Sequence, residues 1–193
     1  LLLFLLLLLL SRPVSSADYD TAIKAAAERY LPWQWQWLKA QLYQESLLDP
    51  NAESPAGAVG IAQFMPATWA EVSRKLSING SPRDAYHAIN AAAYYDARLR
   101  RIWKSDRPEC DRRNLTFASY NAGAGNILKA QRYCKWLAWP HIAQCLSRVT
   151  GRHANETTTY VKRIRNHFLR FYGVCEHACD SETAACYPGR PDC

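Results

Sequence analysis

Trp35, Leu38 and Leu42 recur at steps of three and four, the apolar seam of an amphipathic helix, and the next position on that seam is an acid, Glu45. Pro50 and Pro55, with Gly57 and Gly60, then stop the helix and force an irregular loop. A carboxyl at the end of a buried seam, opening onto such a loop, can have its pKa raised by desolvation and still meet a ligand. That arrangement suits a general acid. A helix-terminal Glu turning aside into water satisfies the same periodicity, and spacing alone leaves both readings open.

The rest of the chain also reads as helix. Asp20 to Leu31 is Ala-rich and stops at Pro32, which opens a Trp-rich helix apolar on more than one side, fit for the centre of a domain. Pro66 to Leu76 is a third helix, followed by the turn Asn79-Gly80-Ser81-Pro82. Asn90 is expected to cap the next, with Ala92, Tyr95, Leu99 and Ile102 in step. Lys104 to Arg113 reads as a charged loop holding Cys110. Asn114 opens a short helix ending at Gly123, and Asn126 opens another with Ile127, Ala130, Tyr133 and Leu137 along one side. Pro140 to Thr150 is closed by Gly151, and Asn155 caps a long helix carrying Tyr160, Ile164, Phe168 and Phe171 as far as Gly173. No segment alternates apolar and polar with β-branched enrichment, so the fold class is all-α.

Around Glu45 the residues form a dense pattern. Glu45-Ser46, Asp49-Pro50-Asn51-Ala52, Ser54-Pro55-Ala56-Gly57-Ala58-Val59-Gly60, Gln63 and Met65-Pro66-Ala67-Thr68 resemble, in order and spacing, the catalytic motif of the lytic murein transglycosylases with a goose-type-lysozyme-like domain. Ala62 departs from it, since the family usually carries Met before the Gln; packing behind the loop is affected more than chemistry. Ala118 to Gly125, with Tyr120 and Asn121, matches a second motif, and Glu156 to Val161 a third. Each alone has an ordinary reading: Tyr120 as core, Asn121 as a helix stop, Glu156 as an acid favoured in a first helical turn. Three in order over some 110 residues are far more specific.

The resemblance implies a lysozyme-like helical domain acting on peptidoglycan glycan strands, with Glu45 as catalytic acid and base. It implies that Tyr120 lies beside that acid and that Glu156 stands in the cleft supporting the Tyr and the substrate. Ser54, Gln63, Met65 and Asn121 complete the substrate-binding set, Ser54 and Gln63 holding acetamido and hydroxyl groups. It further implies cleavage of the β-1,4 bond between N-acetylmuramic acid and N-acetylglucosamine, leaving 1,6-anhydro ends. Two rivals stay open: a muramidase hydrolysing the same bond with Asp49, Glu53 or Glu71 as second acid, and a wall-binding protein with a dead catalytic domain.

Residues 1–17 read as a secretory leader: ten apolar residues, Leu1 to Leu10, are too few for the roughly 20 that span a bilayer. Because the only methionine is Met65, the apolar run can extend further upstream, and a membrane anchor stays open. Residues 18–172 form the catalytic domain and 173–193 a Cys-rich tail outside the resemblance. Export places the protein in the periplasm or cell envelope, as a monomer, and favours disulfides among its seven cysteines. Seven is odd, connectivity is not readable from sequence, and Cys134 with Cys145 is one candidate pair. Cys175, His177 and Cys179, with His167, do not match zinc spacing, so no metal or cofactor is expected. The formal charge of +7, +6 once Arg12 leaves with the leader, suits an anionic envelope polymer. No run of five Lys/Arg points to nucleic acid.

Overall fold

The computed structural model describes residues 19–173; the expected leader and the tail beyond Gly173 lie outside the described residues. Within these, α1 (Asp20–Tyr30), α2 (Trp35–Ser46), α3 (Pro66–Leu76), α4 (Ala85–Arg100), α5 (Glu109–Ala122), α6 (Ala124–Cys134), α7 (Trp139–Cys145), α8 (Ser147–Thr150) and α9 (Ala154–Tyr172) follow one another, and the longest connection is the loop 47–65 between α2 and α3. A single 3-10 turn, Gly151–His153, leads into α9. No strand occurs among the described residues; two isolated bridges, Glu53 with Val59 and Val59 with Phe64, lie in the loop after α2.

α2 packs against α1 on one side and α9 on the other, and α5 closes against α4, α6 and α9. Trp37 joins these layers. Its ring stacks on Phe168 of α9 with centroids 3.9 Å apart, meets Phe117 of α5, and carries the Arg113 guanidinium 3.8 Å above it. Leu38 and Leu42 are fully buried, as the seam requires.

Several boundaries differ from the sequence expectation. α4 begins at Ala85 rather than at Asn90, because the Asp84 carboxylate accepts from the His87 backbone N–H and caps the helix. α5 starts at Glu109, so Cys110 sits buried in a helical turn instead of a loop. Two of the charges that suggested a loop are engaged in ion pairs at the start of this helix: Glu109 takes Arg100 at 2.7 Å and Arg112 at 2.9 Å. Asn126 lies inside α6, its Nδ2 donating to the Ala122 carbonyl, and α6 ends at Cys134, leaving Tyr133 and Leu137 exposed. Pro140 to Thr150 divides at Leu146, and Asn155 falls in the first turn of α9 rather than at its cap. The Cys134–Cys145 bond is present, tying α6 to α7.

Candidate active site

The helix carrying Glu45 ends abruptly. Leu47 and Leu48 take left-handed backbone conformations, φ 58° and 66°, and the chain turns into the loop that covers the end of α2. Ser46 Oγ donates to the Ile61 carbonyl at 2.9 Å, and Gly60 N–H donates to the Ala52 carbonyl at 2.9 Å. Gly60, at φ 83°, lies so close to the Pro82 carbonyl that an added Cβ would sit 2.0 Å from its oxygen. Arg83 binds the outer side of the loop at Glu53 and at the Asn51 carbonyl. The loop is a fixed wall.

Glu45 lies at the floor of a cleft of about 520 Å³ between α2, the end of α5 and the first turns of α9. Gln44, Asn121, Asn155, Glu156, Thr159, Tyr160 and Arg163 line it with Glu45. The residue as a whole is half-buried, while its carboxyl is enclosed on the protein side, and desolvation pushes its pKa from 4.5 up to about 8. The Tyr160 hydroxyl donates to Glu45 Oε1 and pulls in the opposite direction, but burial prevails. Near neutral pH the group is largely a protonated acid. Tyr160 is itself buried, and its hydroxyl is held neutral by burial and by the Glu45 carboxyl.

The residues expected around the acid divide into two sets. Asn121 and Glu156 line the cleft with Glu45. Asn121 Oδ1 accepts from Thr157 Oγ1 at 2.8 Å, joining the end of α5 to α9, and the exposed Glu156 stands 3.5 Å from His153 Nδ1. Ser54 and Gln63 instead brace the loop. Ser54 Oγ accepts from Ala58 N–H at 3.0 Å, and Gln63 Nε2 donates to the Gly60 carbonyl at 2.9 Å. Met65 precedes α3 with its side chain exposed.

Tyr120 donates its hydroxyl to the Ala62 carbonyl at 2.8 Å and feels the charge of Glu45 without bonding to it. Because the acceptor is backbone, the small residue at position 62 leaves this bond intact. The tyrosine bonded to the acid is Tyr160, which the sequence presented as part of an apolar seam. A signal existed: Tyr160 follows Glu156 by four residues inside the third motif, so the two share a helix face. Thr159 lies in the same motif, three residues after Glu156, whereas Gln44, Asn155 and Arg163, which also line the cleft, carried no comparable signal.

An all-helical lysozyme-like domain with a shielded acid on a cleft floor is the class that fold and site define. In fold it is similar to the 70 kDa soluble lytic transglycosylase of Escherichia coli (TM-score 0.64, 21% identity, 83% of this chain and 25% of that one). It is likewise similar to a 70 kDa soluble lytic transglycosylase solved in complex with bulgecin A (TM-score 0.62, 22% identity, 89% of this chain and 26% of the other). Residues 21–141 match the family model described as the transglycosylase SLT domain, and the chain belongs to that family. Relatives include proteins named membrane-bound lytic murein transglycosylase F. That of Maricaulis maris is 28% identical over 165 residues, covering 77% of this chain and 35% of the relative. That of Pseudoalteromonas translucida is 31% identical over 127 residues, covering 61% and 26%. The chain thus spans about a third or less of the length of these relatives.

Proposed function

We propose that this chain is a peptidoglycan lytic transglycosylase, cleaving the β-1,4 bond between N-acetylmuramic acid and N-acetylglucosamine with Glu45 as its single acid and base. The observation that carries the reading is the Glu45 carboxyl itself: protonated near neutral pH by burial, open to a cleft, and bonded to a tyrosine hydroxyl.

Two opposing influences on Glu45 fit two stages of one reaction. Desolvation keeps the acid protonated until it donates to the glycosidic oxygen. The leaving sugar departs with that proton, and the acetamido oxygen of the muramic residue stabilises the positive charge at C1. Glu45 is then a carboxylate, and the Tyr160 O–H supports that charge where water is scarce. The carboxylate takes the proton of the same sugar's C6 hydroxyl as its oxygen bonds to C1. The 1,6-anhydro ring closes, Glu45 is reprotonated, and no water is consumed. Holding the C6 hydroxyl against C1 is the positional part of the catalysis.

A muramidase would need a second carboxyl on the water's side of the sugar. Asp49 accepts from Asn51 N–H in an exposed turn, Glu53 pairs with Arg83 and Glu71 with Arg98. None of the three is among the residues shown to line the cleft. Glu156 is the carboxyl that shares the cleft with Glu45, and the hydrolytic reading rests on it. Mass analysis of muropeptides released from purified sacculi decides: anhydro ends support the lyase, and reducing ends overturn it. Glu45→Gln is expected to fold and to leave sacculus turbidity unchanged, whereas undiminished lysis would remove Glu45 from the mechanism. A wall-binding protein without activity would bind sacculi and release nothing. We place the protein in the cell envelope, as an exported monomer whose positive charge draws it to the anionic wall.

A further inference from the structure

Behind Glu45 lies a polar pair that this reaction does not use. Gln41 precedes Glu45 by one turn on α2, so the two side chains leave the same helix face. Asp96 comes from the C-terminal half of α4. Both Gln41 and Asp96 are 0% exposed, and Gln41 Nε2 donates to Asp96 Oδ1 at 3.3 Å. The remaining oxygens of the pair, Gln41 Oε1 and Asp96 Oδ2, have no hydrogen-bond partner when Asp96 is a carboxylate.

A charged carboxylate sealed from water with one long hydrogen bond is costly, and so is an orphaned amide oxygen beside it. A single proton answers both. On Oδ2 it turns one of two buried acceptors into a donor, and a carboxylic acid matches a primary amide at two points, N–H to oxygen and O–H to oxygen. We propose that Asp96 is a neutral carboxylic acid joined to Gln41 by two hydrogen bonds, and that it is a positioning residue fixing the helix that presents Glu45.

Burial drives Asp96 well above the usual carboxylate range, the Gln41 bond opposes that only in part, and the charge of Glu45 reinforces it. The titratable groups facing it are Glu45 from α2, Tyr120 from α5, Tyr160 from α9 and Tyr95 on its own helix. All are neutral in their protonated forms. A neutral Asp96 therefore lets Glu45 become a carboxylate in mid-reaction without a second negative charge behind it. Asp96 ionised would oppose that step.

The functional half of this inference rests on the proposed role of Glu45, but the protonation is readable without activity. In the Glu45→Gln protein near neutral pH, infrared spectroscopy is expected to show the carbonyl stretch of a protonated carboxylic acid. That band should vanish in Glu45→Gln/Asp96→Asn; its absence from the single variant overturns the proposal. In the otherwise intact protein, Asp96→Asn offers the same donor and acceptor and should keep kcat and KM within about twofold. Asp96→Leu strands the Gln41 amide and should lower kcat about tenfold with KM little changed, since neither residue is among those shown to line the cleft. The alkaline limb of the pH profile should stay in place in Asp96→Asn. A limb moved to lower pH would mean that a negative charge had been removed from beside Glu45, and that would sink the idea. So would an Asn variant as impaired as the Leu variant. If Asp96→Leu fails to fold, the Asn comparison and the infrared band still decide. Absence of lysis from well-folded protein would overturn the proposed function and leave the infrared result standing.

Discussion

Keeping the Glu45 carboxyl away from water biases it toward the protonated form, and that bias extends to stability. Its folded pKa, about 8, lies above its ordinary 4.5, so the native state binds the extra proton between those values. The contribution is fully present below pH 4.5 and is lost as pH rises through about 8. Glu45→Gln lacks this slope. Discounted for solvent screening at the open face of the cleft, the variant's advantage over the wild type should be roughly 1–3 kcal/mol at alkaline pH, with little difference in acid. Denaturant titrations at several pH values check this. Activity should fall along the same limb, because an ionised Glu45 has no proton to give. Tyr160→Phe removes the bond that favours the carboxylate. Its kcat should fall about tenfold, and its alkaline limb should move to higher pH. A limb moving down would mean that Tyr160 does not act on Glu45.

At the scale of elements, what matters is how α2 ends. Leu47 is left-handed at φ 58° and 68% exposed, so its side chain meets backbone strain with little burial in return. Leu47→Gly should therefore stabilise the protein by roughly 0.5–1 kcal/mol, read from the denaturation midpoint. The opposite holds at Gly60, where a Cβ would collide with the Pro82 carbonyl. Gly60→Ala must drive the loop and the Pro82 segment apart, at about 2 kcal/mol or more, and should depress lysis with it. Gly57→Ala is the control, since φ is also positive there but nothing lies within 4 Å of an added Cβ. These elements also show which boundaries a sequence discloses. Pro66 and Gly173 marked helix ends because their effects are local. Asn90 was the cap expected from the sequence, but Asp84 caps the helix, and the five residues between them are helical because Ala85, Ala88 and Ile89 are buried in the core.

For the whole molecule, the cleft depends on α2, α5 and α9 being held together by Trp37 with Phe117 and Phe168. The Cys134–Cys145 bond lies in the α6–α7 corner, whose cysteines are not among the residues shown to line the cleft. Replacing both cysteines by Ser should cost about 3 kcal/mol by chain entropy, yet leave kcat nearly unchanged while the protein stays folded. Thermal melting and turnover measured on one preparation separate these effects.

Periodicity carried the helical class, and Pro and Gly carried the stop after Glu45, because both act within a few residues along the chain. Glu45 stood out for the same reason: an acid in register with Leu38 and Leu42 is visible without knowing what faces it. Which hydroxyl reaches that acid was decided in three dimensions. Tyr120 and Tyr160 are alike in sequence, each on a helix and each within a quoted motif, and the packing of α9 on α2 gave Glu45 to one while the loop's Ala62 carbonyl took the other. The pairing of Gln41 with Asp96, 55 residues apart, was likewise hidden, because a buried polar group identifies its partner only once two helices have met.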